Sequence, residues 1–82
     1  MKIPKLKKYD AVRVKWLDSY APEGSWHDEG EIDTSHGVEI ESVGYYLEKS
    51  QDWLAVCMGY HSGGIHDLFY IPLGCIREII KL

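Results

Sequence analysis

The chain has 82 residues, enough for one domain with a small core, and we take residues 1–82 as a single unit. Its composition, 45% hydrophobic and 27% charged, is typical of a soluble globular protein, and no apolar run approaches the roughly 18–20 residues that span a bilayer. The net charge is −4, and residues 16–48 hold nine acidic residues without a lysine or arginine, which disfavours nucleic-acid binding there.

The first predicted elements are an arm and a strand. Residues 1–10 are polar, so we predict an irregular N-terminal arm. From Ala11 to Asp18, the apolar residues Val12, Val14 and Trp16 alternate with charged residues. This period of two predicts a half-buried strand.

A long loop is predicted next, over residues 19–37, because this segment has a proline, three glycines and no apolar periodicity. A single helical turn near Asp28 is compatible with the sequence but is not predicted. Loops longer than about 12–15 residues in compact domains are usually functional or disordered. Tyr20 and Trp26 argue against disorder, because disordered segments are poor in large aromatics.

The second strand is predicted from Val38 to Lys49. Its apolar residues fall on two faces that are offset by one residue, first Val38 and Ile40, then Val43, Tyr45 and Leu47. A β-bulge or sharp bend between Glu41 and Gly44 would restore a single buried face, and glycine is the residue type for it.

The rest of the chain predicts three more strands. After a turn at 49–52, the apolar run Trp53–Tyr60 indicates a strand that is buried on both faces. A turn over His61–Asp67, centred on two glycines, leads to a strand at Leu68–Ile71, and a Pro-Leu-Gly corner precedes the last strand within 75–81. Five strands, one long loop after the first strand and no helix predict an all-β fold, a five-stranded small barrel.

Residues 52–76 resemble the second half of an SH3-type domain. Asp52-Trp53-Leu54-Ala55 is similar to that family's Trp-Trp strand, and Phe69-Tyr70-Ile71-Pro72-Leu73-Gly74-Cys75-Ile76 is similar to its closing Tyr-Ile-Pro pattern. The loop at 18–37 lies where the family has its long first loop. The resemblance implies an SH3-like barrel. Trp53 and Pro72 of the family's proline-peptide site are present, but Cys75 replaces its closing tyrosine, so we carry over the fold and not the ligand.

Three short segments resemble small uncharacterised proteins that bacteriophages and prophages encode. They are Trp16-Leu17-Asp18-Ser19, Ser42-Val43-Gly44-Tyr45 and Ile71-Pro72-Leu73-Gly74-Cys75-Ile76. This resemblance implies an accessory protein in the cytoplasm of a host cell, and some accessory proteins block host defences.

The histidines are the best candidates for metal binding or catalysis. His61 and His66 flank the glycine turn beside Asp67, and His27 and His36 lie in the acidic loop. Zinc requires three or four ligands, and no His-x-x-x-His or Cys-x-x-Cys spacing is present, so we predict no metal and no cofactor. A general base formed by His61 and Asp67 would lack a nucleophile signature, so we predict no enzyme.

The cysteines and tryptophans are assigned mainly to packing. The chain starts without a signal peptide, so free thiols are expected at Cys57, inert in its apolar strand, and at Cys75, the more accessible thiol. Trp16 and Trp53 are expected in the core. Trp26 either contacts a partner or folds back to cap the barrel.

We therefore predict a non-enzymatic binding protein that engages a host protein through loop 18–37 and turn 61–67. The predicted binding residues are Tyr20, Trp26, His27, His61, His66 and Asp67, which combine flat rings with hydrogen-bonding tips. One alternative is an oligomeric sponge for a nucleotide-type signalling molecule, and another is a small metal-dependent hydrolase that uses the histidines. A homo-oligomer is expected, since small apolar barrels often bury an edge by self-association.

Overall fold

The computed structural model describes residues 1–35 and 37–82. It contains five strands, β1 (Ala11–Asp18), β2 (Val38–Lys49), β3 (Trp53–His61), β4 (Gly64–Pro72) and β5 (Ile76–Lys81). They form one antiparallel sheet in the order β4-β3-β2-β1-β5. Single 3₁₀ turns lie at Glu29–Glu31 and Leu73–Cys75. The predicted all-β fold of five strands with a long loop after the first strand is confirmed. The arrangement resembles a small barrel, but the sheet is open, because β4 and β5 are not paired with each other in the described part of the chain.

Strand β2 connects the two halves of the sheet because it changes partner along its length. Residues 38–45 pair with β1, and residues 45–49 pair with β3. At the change of partner, a Cβ atom on Gly44 would lie 2.7 Å from the carbonyl oxygen of Cys57. Glycine is therefore required here because two backbones approach closely.

Of the two alternatives predicted between Glu41 and Gly44, a bulge or a sharp bend, the bulge is wrong. Pairing between β1 and β2 runs without a shift from Ala11–Tyr45 to Asp18–Val38. The register shifts lie between Tyr46 and Glu48, against β3, and between Lys15 and Trp16, against β5. Val43 therefore shares a face with Tyr45, as the sequence pattern grouped them, but it is 65% exposed and does not join the buried surface.

The main core lies between the two halves of the sheet. Its buried members are aliphatic residues from four strands: Val12, Val14, Leu54, Val56, Ile71, Ile76 and Ile79. Ile3 and Leu6 of the N-terminal arm pack against this cluster. The arm is thus part of the hydrophobic core, which matters in so short a chain because little apolar surface is available to bury.

A second, smaller cluster lies on the other face of β3. Leu47, Ala55 and Cys57 are buried there, with Tyr9 and Tyr45 packed against them. Since successive residues of a strand point to opposite faces, Leu54 and Val56 enter the main core while Ala55 and Cys57 enter this one. Burial on both faces is confirmed for residues 54–57 of β3, whereas Trp53, Met58 and Tyr60 of the same predicted run are exposed.

The hairpin of β3 and β4 is longer than predicted. Strand β4 begins at Gly64 and not at Leu68, and it pairs with β3 up to His61–Gly64. The predicted turn over 61–67 is therefore wrong, since only Ser62 and Gly63 connect the strands.

Among the described residues, no helix is long and apolar enough to cross a membrane.

Candidate functional site

The long loop exposes most of its predicted binding residues. Trp26 is 93% exposed, so it does not cap the barrel, and Tyr20 is also exposed. His27 holds the loop together instead: its Nδ1 atom lies 3.2 Å from Glu31 Oε2, and its Nε2 atom lies 3.3 Å from the carbonyl oxygen of Gly24. Both ring nitrogens therefore have partners within the loop.

A pocket of about 440 Å³ lies within this loop. It is lined by Tyr20, Pro22, His27, Glu31, Ile32 and Asp33. The side chain and backbone N–H of Ser35 hydrogen-bond to Asp33 and hold the pKa of that carboxyl below its ordinary value of 3.8. The pocket therefore contains acidic groups and no lysine or arginine, which makes it unfavourable for a phosphate group.

The three predicted residues of the hairpin have local partners. The backbone N–H of Gly63 donates to Nδ1 of His61 at 3.0 Å, so this ring braces the tight turn. His66 Nδ1 lies 3.7 Å from Asp67 Oδ2, and both side chains are well exposed. Asp67 adopts a positive φ of 53°, a conformation that aspartate tolerates better than most residues. These contacts give the three residues local structural roles in the hairpin.

The predicted residues thus form two groups, one in the loop and one on the hairpin. Among the residues that the structure describes, no three His, Cys, Asp or Glu side chains gather into a group that could hold a metal ion. His36, named above with the acidic loop, lies outside the described residues. Cys57 is a buried free thiol, as expected, and Cys75 is partly exposed.

An aromatic pocket that the sequence did not predict opens on the outer face of β3 and β4. Trp53 is 48% exposed, so its assignment to the core is wrong. Its ring meets the ring of Tyr70 edge-on, with centroids 6.4 Å apart and planes at 81°. The pocket has a volume of about 430 Å³ and is lined by Glu48, Lys49, Ser50, Trp53, Ala55 and Tyr70.

Strand pairing explains why this pocket exists. Ala55 lies directly opposite Tyr70, so a methyl group forms the floor beside a large ring. Trp53 lies two residues before Ala55 and shares its face, because side chains alternate along a strand. The backbone of the preceding turn is held by Ser50, whose Oγ accepts the N–H groups of Asp52 and Trp53 at 3.2 and 3.1 Å. The small residue Ala55 between the large residues Trp53 and Tyr70 is the sequence signal that could have located the pocket.

Comparisons with known proteins leave this site to be interpreted from its own geometry. No protein-family model, curated protein or solved structure matches the chain.

Proposed function

We propose that this chain is a non-enzymatic binding domain that captures an apolar side chain of a partner protein in the pocket beside Trp53 and Tyr70. The observation that carries the proposal is the pocket of about 430 Å³ that these two exposed, mutually contacting rings help to line. Binding pockets of this kind typically combine apolar walls with a few polar groups and have volumes of about 300–1,000 Å³. Aromatic residues at such positions dominate the energy of protein interfaces.

The charged residues at the rim of the pocket favour a protein as the ligand. Glu48 and Lys49 carry opposite charges beside the aromatic rings, so each can pair with a charged side chain that flanks the captured residue. Rigid strands hold both rings, since Trp53 begins β3 and Tyr70 lies within β4. A binding site that is formed before the partner arrives loses less conformational entropy on binding.

The loop offers a separate surface, for another partner. Trp26 is almost fully exposed there, and tryptophan is enriched among the residues that dominate the energy of protein interfaces. The phage or prophage resemblance would make the partner a host protein, and an anti-defence role would follow from blocking it. A nucleotide sponge is less well supported, because Glu31 and Asp33 line the loop pocket.

A peptide selection tests the proposal. A displayed library of random dodecapeptides is panned against the immobilised protein, and selected peptides are synthesised with a fluorophore for polarisation measurements. We expect selected sequences with an apolar or aromatic anchor and a Kd below about 100 µM. Trp53→Ala should raise that Kd at least tenfold.

The matched control is Trp26→Ala, which removes an equally large exposed ring outside the pocket. It should change the Kd less than twofold. A tenfold loss in Trp26→Ala with none in Trp53→Ala would move the site to the loop and overturn the pocket assignment. Absence of any binding peptide, together with a nucleotide released from the purified protein on denaturation, would favour the sponge.

A further inference from the structure

The two edges of the sheet differ in how they are protected. Strand β5 forms one edge with six residues and carries Arg77, Glu78 and Lys81. Strand β4 forms the other edge with nine residues, and Asp67 is its only carboxylate or permanently charged side chain. Natural proteins protect edge strands with charges, bulges or covering segments, because unpaired N–H and C=O groups recruit another strand. By this criterion β5 is protected and β4 is open.

The open edge is also apolar. Leu68, Phe69 and Tyr70 follow one another in β4, and they are 48%, 46% and 56% exposed. They lie on both faces of the strand because side chains alternate. Met58 on the neighbouring strand and Val43 on β2 line a groove of about 380 Å³ with Leu68 and Phe69. The apolar surface therefore continues from the edge across the hairpin.

The molecule exposes more surface than its mass predicts. Its accessible area is 6517 Å², whereas a compact monomer of 9.4 kDa exposes about 5,000 Å². Its radius of gyration of 15.9 Å exceeds the value of about 12 Å for a compact chain of this length. The excess, on the order of 1,500 Å², matches one protomer's share of an obligate dimer interface. Part of this excess belongs to the long loop, where almost all described residues are exposed.

We propose that β4 pairs with β4 of a second copy of this chain, in an antiparallel manner around a two-fold axis at Phe69. The segment 68–70 is self-complementary in this register: Phe69 opposes itself, and Leu68 opposes Tyr70 of the second copy. Aromatic and aliphatic residues that oppose each other across strands stabilise a sheet. The pairing joins two five-stranded sheets into one continuous sheet.

Charge favours a second copy at this edge. Each chain has a net charge of −4, so two copies repel unless they meet where acidic side chains are scarce. In the proposed register the Asp67 residues lie at opposite ends of the paired segment, about 13 Å apart along the strands. The pairing uses the backbone edge of β4, whereas the Trp53 pocket opens on a face of the sheet, and Tyr70 contributes to both.

The mass of the protein in solution tests the pairing. Light scattering after size-exclusion chromatography, at loading concentrations from about 5 to 200 µM, should give the mass of a dimer for the wild type. Leu68→Lys should give a monomer, because it places a charge at the centre of the pairing. Ile65→Lys is the matched control, since Ile65 is similarly exposed on the same strand but lies outside the segment, and it should stay dimeric.

Crosslinking provides a readout that does not depend on the stability of a lysine variant. In a Cys75→Ser background, Phe69→Cys places two thiols across the axis, where Cβ atoms lie about 4.5–5.5 Å apart. Mild oxidation should produce a disulfide-linked dimer, and Ile65→Cys should produce none. A monomeric wild type at the highest concentration, or a dimer that survives Leu68→Lys without crosslinking through residue 69, would overturn the proposal.

Discussion

The ring of Tyr9 stacks on the ring of Tyr60, with centroids 3.8 Å apart and planes inclined by 12°. Tyr45 adds an edge-on contact to Tyr60 at 5.3 Å. The backbone N–H of Tyr9 also donates to the carbonyl oxygen of Tyr46. These contacts attach the segment before β1 to the ends of β2 and β3, so the predicted irregular arm is a fixed part of the domain.

Replacing Tyr9 should therefore destabilise the whole protein. Tyr9 has a positive φ of 73°, so we choose Tyr9→Asn, because asparagine tolerates this conformation and the change isolates the loss of the ring. The free energy of unfolding should fall by about 1–3 kcal/mol, from lost burial and a lost aromatic pair. Urea denaturation measures it. Tyr20→Asn, at an exposed ring, should change stability by less than about 0.5 kcal/mol.

Gly44→Ala should be more harmful than a typical glycine substitution. The new methyl group would lie 2.7 Å from the carbonyl oxygen of Cys57, which is backbone and cannot rotate away. A loss of about 1–3 kcal/mol in the free energy of unfolding is expected from this overpacking. Gly74→Ala is the control, because nothing lies within 4 Å of the added atom. Equal melting temperatures for the two variants would contradict the close approach.

The hydrogen bond from Trp16 to Ser42 links β1 to β2 through side chains. The indole N–H donates to the hydroxyl oxygen of Ser42 at 3.0 Å in a partly buried position. Ser42→Ala leaves this N–H without its partner, so stability should fall by about 1–2 kcal/mol in a denaturant titration. Ser62→Ala, in the exposed turn of the hairpin, should have no measurable effect.

Asp10 should make stability depend on pH in the acidic range. The backbone N–H of Lys7 donates to its carboxylate, and Lys81 lies nearby, so the pKa of Asp10 falls below its ordinary value of 3.8. A lowered pKa stabilises the fold at pH values above the unfolded-state pKa, and this contribution disappears as pH falls through the folded-state pKa.

The matching experiment compares the wild type with Asp10→Asn in thermal melts between about pH 3 and pH 7. The wild type should melt at a higher temperature near neutral pH, and the two curves should converge at the acidic end. A difference that grows as the pH falls would contradict the assignment, because it would require a raised pKa.

The two cysteines should react at different rates with a thiol reagent. Cys57 is only 2% exposed, whereas Cys75 is partly exposed. In the native protein we expect one thiol to react quickly and the second to react only on unfolding. Cys75→Ser should remove the fast phase and Cys57→Ser should leave it intact, as followed by absorbance of the released chromophore.

Much of the fold could be predicted because its signals are local. Alternation in β1 and the apolar run of β3 located these strands closely, and the Pro-Leu-Gly corner lies at the short turn before β5. The hairpin was predicted less well. Ile65, His66 and Asp67 have no strong alternation of their own, and their pairing with β3 continues the strand to Gly64.

The candidate site was harder to predict because exposure is not a local property. Trp53 is apolar and begins a buried strand, so the sequence favoured the core for it. Whether a pocket opens beside it depends on the pairing of Ala55 with Tyr70, which the sequence does not show. The binding residues predicted in the loop and on the hairpin remain predictions, and of these the peptide experiment tests Trp26.

By itself, the amino-acid sequence determined the number and order of the strands, the long acidic loop and the double-sided burial in the middle of β3, because alternation and turn residues act over a few positions. The tertiary structure alone decided three other features. These are the placement of Val43 outside, the aromatic pocket of Trp53 and Tyr70, and the open edge at β4. Each depends on which strand lies beside which, since alternation shows which residues share a face but not whether another part of the chain covers that face.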